Sequence, residues 1–154
     1  MKYFLCFIIF SIYSCTTKKE NNVESISLEI NSWEKSDYNE VKILIEKLKF
    51  NSSVIVYYKN RKDSLISKNF NIDNNTFESL TKQCIDLENI NLNKAFLIGL
   101  DGKNVNIEFG AKGKNLRYNF REPNSNTNER DLEKFMILSK NIISISKLKY
   151  DLLQ

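Results

Sequence analysis

Two parts of this chain alternate apolar and polar residues so regularly that they admit one local structure. Ile26, Leu28 and Ile30 fall on one side of the stretch from Val23 to Trp33, with Ser25, Ser27 and Glu29 on the other. Val105, Ile107 and Phe109 repeat the pattern, as do Leu116, Tyr118 and Phe120 beyond the turn Gly110-Ala111-Lys112-Gly113. A period of two sends successive side chains to opposite faces of a strand, so each stretch is half buried in a sheet. Ala95 to Leu100, closed by Asp101-Gly102, reads as a preceding strand. Residues 95–120 are thus expected to form a three-stranded antiparallel meander.

Elsewhere the period is helical. Val41, Leu44, Ile45 and Leu48 recur at i, i+3, i+4 and i+7, which predicts a helix from about Tyr38 to Leu48. Phe77, Leu80, Cys84 and Leu87 predict a second helix over Asn75 to Ile90, with Asn75 and Glu78 in capping-box spacing. Leu132, Phe135, Met136, Ile142 and Ile143 predict a long final helix from about Asn128 to Lys147. Ser53 to Tyr58 and Ser64 to Phe70, around the polar turn Asn60-Arg61-Lys62-Asp63, read as a hairpin. The expected order is β-α-β-β-α-β-β-β-α. That order describes an α+β domain, a single layer of mostly antiparallel sheet with helices packed on one face. Only four glycines and one proline occur, which favours long regular elements over a many-turned sandwich. With 42% hydrophobic and 27% charged residues, the chain can bury one core without staples.

The first fifteen residues, MKYFLCFIIFSIYSC, follow a different logic. Lys2 precedes an apolar run of about eleven residues, Tyr3 to Tyr13, too short to cross a bilayer core of ~30 Å. A basic start, a short apolar middle and a small residue make a signal-peptide pattern. The run ends Ile12-Tyr13-Ser14-Cys15, and this stretch resembles the signal of bacterial lipoproteins, whose lipobox ends in a cysteine. The resemblance implies signal recognition through Ile12 and Ser14, cleavage before Cys15, and a diacylglycerol on the Cys15 sulfur. It implies localisation in the cell envelope, lipid-anchored to a membrane. Thr16 follows the cysteine, not the Asp that retains enterobacterial lipoproteins at the inner membrane, which points to the outer membrane in a two-membrane cell. An ordinary secretory signal or an uncleaved anchor are the alternatives. Lys18 and Lys19 after the run weigh against the uncleaved anchor.

The chain therefore divides into a signal peptide (1–14), a lipidated cysteine with the polar tether TTKKENN (15–22), and one domain (23–154). The domain itself resembles no family beyond small lipoproteins of AT-rich bacteria. The full-chain charge of +4 is mild, and nucleic acid is a poor partner for an exported chain. Three cysteines leave Cys84 alone once Cys6 departs with the signal and Cys15 is acylated, so no internal disulfide is expected. The absence of histidine removes Ser-His and Cys-His catalysis and the usual zinc sites.

The candidate sites are few. Asn71, Asp73 and Asn75 have the spacing of the first calcium-loop ligands, but Thr76 and Lys82 stand where the loop needs Gly and Glu, so helix capping explains them better. Cys84 lies on a helix's apolar stripe and reads as core. Tyr57 and Tyr58 must point opposite ways on a strand, one into the core and one outward; Trp33 lies near a strand end. Lys112, Lys114, Arg117 and Arg121 gather around the last hairpin. They form either a basic binding surface or a solvated face that guards an edge. No metal site, cofactor or catalytic set is expected. The function expected is a non-enzymatic binding or envelope-assembly module held to a membrane through Cys15. The alternatives are an immunity or inhibitor lipoprotein, and a hydrolase with converging carboxylates. Intact-mass analysis after acyl labelling should find a lipid adduct on the wild type and none on Cys15→Ala; an adduct on both would refute the assignment of Cys15.

Overall fold

The structure, a computed structural model, describes residues 23–32, 38–60, 65–97, 102–111, 113–148 and 153. Ile12, Ser14, Cys15, Trp33 and Lys112 lie outside them. Six strands form one antiparallel sheet: β1 (Ser25–Asn31), β2 (Tyr38–Lys47), β3 (Ser52–Asn60), β4 (Leu65–Ile72), β5 (Asn104–Ala111) and β6 (Lys114–Arg121). Helix α1 (Asn74–Asp86) follows β4 and runs into a 3-10 turn, Leu87–Asn89. A single helical turn, α2 (Leu92–Ala95), precedes β5, and α3 (Glu133–Ile145) follows β6. The strand order across the sheet is β4-β3-β2-β1-β5-β6. The first four strands form a meander. The chain then crosses the sheet through its helices and adds β5 and β6 beyond β1.

The fold is α+β with helices on one face, as the patterning predicts, and two elements differ from the expected order. Residues 38–47 are a strand, not a helix. The stretch carries both periods. Val41, Ile43 and Ile45 are buried at alternate positions, and β2 pairs with β1 on one side and β3 on the other along most of its length. Two flanking strands satisfy the backbone of a β-branched segment better than a lone amphipathic helix would. The expected strand at 95–100 is the second difference. Ala95 closes α2 and residues 96–97 are irregular, while 98–100 lie outside the described residues. Its place beside β5 is taken by β1, so residues 104–121 form a two-stranded hairpin on the edge of the meander.

The register stacks the buried face in three rows across all six strands. Phe70, Val54, Ile45, Ile26, Phe109 and Leu116 form one. Lys68, Val56, Ile43, Leu28, Ile107 and Tyr118 form the next, and Ile66, Tyr58, Val41, Ile30, Val105 and Phe120 the third. The twelve residues on the four inner strands, β3, β2, β1 and β5, are all buried, and exposure rises toward the edges.

The helices cover these rows. Phe77, Leu80, Thr81 and Cys84 form the buried stripe of α1; Phe135, Met136, Leu138, Ser139, Ile142 and Ile143 form that of α3. The two helices also touch through Asn141 Nδ2, which donates to Gln83 Oε1 at 2.7 Å. Helix α1 begins one residue earlier than its sequence pattern suggests, because Asp73 is its N-cap. The Asp73 carboxylate accepts from Thr76 N and Thr76 Oγ1, both at 2.8 Å, and these bonds hold its carboxyl below the usual carboxylate range. Helix α3 is shorter than predicted because residues 123–131 form a run of turns. Cys84 is wholly buried and burial pushes its thiol up to about 12, so it is an inert core residue.

Among the described residues, no helix is long and apolar enough to cross a membrane. Phe135 sits at the centre of the core, edge-on to Phe120 with ring centroids 4.8 Å apart. Phe135→Ala should destabilise the domain by about 3–5 kcal/mol in urea denaturation, since the sheet cannot collapse into the space left. A loss below about 1 kcal/mol would mean the helix is not seated as described.

Candidate functional site

Among the described residues the sheet's second face carries no helix, and its chemistry is mostly polar. Lys42, Glu29, Asn106 and Asn119 stand in one row across β2, β1, β5 and β6. Lys42 Nζ donates to Glu29 Oε1 at 2.6 Å, and Asn106 Nδ2 donates to Glu29 Oε2 at 3.2 Å. Arg117 Nε donates to Asn106 Oδ1 at 3.0 Å, with its guanidinium 4.0 Å from the same carboxylate. The Lys42 bond above all, then Asn106 and the nearby charges, hold the Glu29 carboxyl below the usual range against its partial burial. This ladder ties four strands together and leaves Asn106 buried on a face that otherwise meets solvent. Tyr57 lies half-buried on this face and Tyr58 in the core, the opposed placement expected of neighbours on a strand.

The register separates the basic residues of the last hairpin. Lys114 has the parity of Leu116, Tyr118 and Phe120, on the helix side. Arg117 and Arg121 lie on the open face, four residues or ~13 Å apart. Arg117 belongs to the ladder, beside Glu29 and opposite Glu108. Arg121 lines a concave site.

That site is an open cleft of about 430 Å³ at the end of the sheet where β6 finishes and β5 begins. Asn104, Asn119, Phe120 and Arg121 line one side, and Ala95, Phe96 and Leu97 the other. Phe96 is 75% exposed and Leu97 42%, so the segment after α2 presents a large apolar lip. The described lining holds amide, guanidinium and aromatic groups and no carboxylate.

One buried side chain holds the lip in place. Arg130, 6% exposed, sends Nε and Nη2 to the carbonyl oxygen of Ala95 at 3.2 and 2.8 Å. Its Nη2 also donates to Arg121 O at 2.9 Å, and Nη1 to the carbonyls of Ser125 and Glu122. Four backbone carbonyls, one at the end of α2 and three at and just beyond the end of β6, thus converge on one guanidinium. Such a fork suits arginine, whose planar donors are fixed relative to one another. Burial works against the charge of Arg130, and the Glu122 carboxylate partly offsets it. Around it, Asp131 Oδ2 accepts from Asn91 N at 2.8 Å, and the Glu122 carboxylate accepts from Lys103 N. Glu122, Asn126 and Asp131 all have positive φ, at 42°, 52° and 57°. These left-handed residues are uncommon outside glycine and persist because the surrounding bonds over-determine the loop.

Of the residues singled out from the sequence, the structure brings only Arg121 to the cleft. Asn119 shares its face, as strand alternation requires. Phe96 and Leu97 are absent from the sequence candidates because their apolar run reads as a core strand. Arg130 gives no signal in sequence, since an arginine in a polar loop normally reads as solvated surface. Among the described residues, no three His, Cys, Asp or Glu side chains gather to hold a metal ion.

No known protein family matches the chain, and no curated protein is significantly similar to it.

Replacing Arg130 with Met keeps the volume and removes the donors. Four backbone carbonyls then lose a charged donor, Glu122 O keeping only Ser125 N, so the variant should lose about 3 kcal/mol or more of stability. Amide exchange should quicken first in residues 122–131 and around Ala95. A variant within about 0.5 kcal/mol of wild type, with an unchanged exchange pattern, would show that the guanidinium does not hold the loop.

Proposed function

We propose that this chain is a cell-envelope lipoprotein, anchored through Cys15, whose domain is a non-enzymatic binding module that receives its partner in the cleft between Phe96 and Arg121. The anchor rests on the sequence alone: an apolar run too short to span, ending in Ile12-Tyr13-Ser14-Cys15. Two or three acyl chains on that cysteine and its amino group give stable membrane binding where one would be marginal. Thr16 favours the outer membrane where the cell has two.

The observation that carries the binding reading is the pairing of Phe96 with Arg130. A large aromatic ring is three-quarters exposed, and the segment bearing it is pinned by a buried arginine. Folding ordinarily hides such a ring or leaves it on a loose loop. Holding it outward in a fixed place costs stability unless a partner covers it, and exposed apolar surface beside polar rim groups is the usual anatomy of a recognition site. Asn104, Asn119 and Arg121 supply that rim.

A photo-crosslinking amino acid at position 96, in the full chain in its native envelope, should form one dominant adduct. The same group at Leu65, exposed at the far edge of the sheet, should not. Asn119→Arg should weaken the adduct at 96 without lowering the melting temperature. Equal, diffuse labelling from positions 96 and 65 would overturn the cleft as a binding site.

A further inference from the structure

The opposite end of the sheet combines the chain's entry point with an exposed apolar turn. Glu24 N donates to Gly110 O at 2.9 Å, and Lys47 N donates to Glu24 O at 2.8 Å. The backbone before Glu24 therefore enters between two hairpin turns, 48–51 and 110–114. The first is closed by Leu48 N donating to Asn51 O at 2.9 Å. Its tip reads Leu-Lys-Phe-Asn. Phe50 is 84% exposed, the most exposed large apolar side chain among the described residues, and Leu48 is 48% exposed. Hairpin tips are ordinarily Gly, Asn, Asp or Pro, because those residues suit tight turns and water. Phe50 belongs to no part of the core.

The tip's charges suit a lipid surface. Lys49 Nζ lies 5.2 Å from the centroid of the Phe50 ring. Gly110 to Lys114 supplies further lysines, of which Lys112 lies outside the described residues. Neither turn contains an acidic residue. The acids near this end lie off both tips: Glu24 just before β1, Glu46 near the end of β2, Asp73 at the N-cap of α1, Glu108 within β5 bonded to Asn115, and Glu78 paired with Lys47. An exposed aromatic ring with a lysine against it is the composition of an interfacial membrane contact, where the ring enters the headgroup boundary and the ammonium stays at the phosphates.

We infer that the 48–51 turn docks on the phospholipid bilayer to which Cys15 is fastened, seating Phe50 and Leu48 among the headgroups. The inference rests on the lipid-anchor reading above. What selects a bilayer over a protein partner is the length of chain before the domain and where it ends. Seven residues, and so eight Cα–Cα steps, separate Cys15 from Val23. They reach ~28 Å at most when extended and ~16 Å as a coil. Strands of this length stand ~26 Å tall. The tether therefore brings the entry end down first, and Phe50 stands one to two strand spacings of ~4.8 Å from the entry point.

The test uses the full acylated chain on phosphatidylethanolamine–phosphatidylglycerol vesicles carrying nitroxides on their acyl chains. The chain's single tryptophan is first removed as Trp33→Phe, and Phe50→Trp or Leu65→Trp is then introduced. Both positions are exposed, and circular dichroism melts check that each variant folds. Tryptophan at 50 should emit at shorter wavelength than at 65, be quenched by the nitroxides, and resist aqueous iodide severalfold better. A chain that floats with the vesicles, yet shows position 50 as open to iodide as position 65, overturns the docking and leaves the anchor intact. Shielding from iodide without nitroxide quenching also overturns it, because a second copy then covers the tip. A chain that carries no lipid by intact mass and does not float removes the anchor and the docking together.

Discussion

Everything in this domain depends on covering one face of a sheet. Three rows of side chains, apolar except for Lys68 at one edge, run across six strands, and no strand can bury its part of them alone. A two-stranded hairpin is marginal in water, and even a six-stranded sheet needs a second layer to exclude solvent from its apolar face. Helices α1 and α3 supply that layer, each with its own stripe, and Phe135 and Phe77 are the large side chains that fill the space between. Because there is no disulfide to constrain the unfolded chain among the described residues, stability comes from this burial. Cys84 contributes as a small apolar group in it, and its raised pKa keeps the thiolate from forming.

The uncovered face solves a different problem. A polar sheet surface of this width would hydrate well without any internal bonds, yet Lys42, Glu29, Asn106 and Arg117 are linked across four adjacent strands. Individual exposed ion pairs contribute little, and this one should not be credited with much energy. Its effect is on register. A slip of one residue between β1 and β5 would turn Asn106 into the core and Val105 out of it, losing the hydrogen bonds and the burial at once. The apolar rows and the polar ladder therefore specify the same alignment from opposite faces.

How much of this is legible in the sequence follows from how many partners each segment needs. Residues 25–31, 104–109 and 114–120 read directly as strands because one face is buried and the other wet, and the alternation survives. Helices α1 and α3 read directly for the same reason at a period of 3.6. Segment 38–47 misleads because it lies between two strands and carries Leu44 on the open face beside Ile55. That extra apolar residue completes a helical pattern, and only pairing with β1 and β3 decides against it. The cleft is the least legible part. Arg121 and Asn119 stand out as polar groups on a strand face, but the lip depends on Arg130, thirty-five residues from the carbonyl it binds. Nothing local announces that an arginine in a turn-rich loop will be buried, nor that Phe96 will be held out of the core.

The two ends of the sheet differ in kind, and the strands fix how far apart they are. One end holds the point where the chain enters and the turn bearing Phe50. The other holds the cleft, the Phe96 lip and the loop clamped by Arg130. A twisted antiparallel sheet with a helical layer behind it does not bend readily along its strands, so the separation of ~26 Å is a rigid one. For a module tethered by few residues, rigidity matters more than reach. A long flexible tether lets a domain meet partners in any orientation but spreads its effective concentration over a large volume. A short tether ending on the same edge as an apolar tip restricts rotation as well as distance, and leaves the far edge facing away from the bilayer. On the reading proposed for this chain, the clamped loop and the exposed turn are two parts of one device. One holds the domain upright and the other keeps its binding edge in a fixed shape at a fixed height.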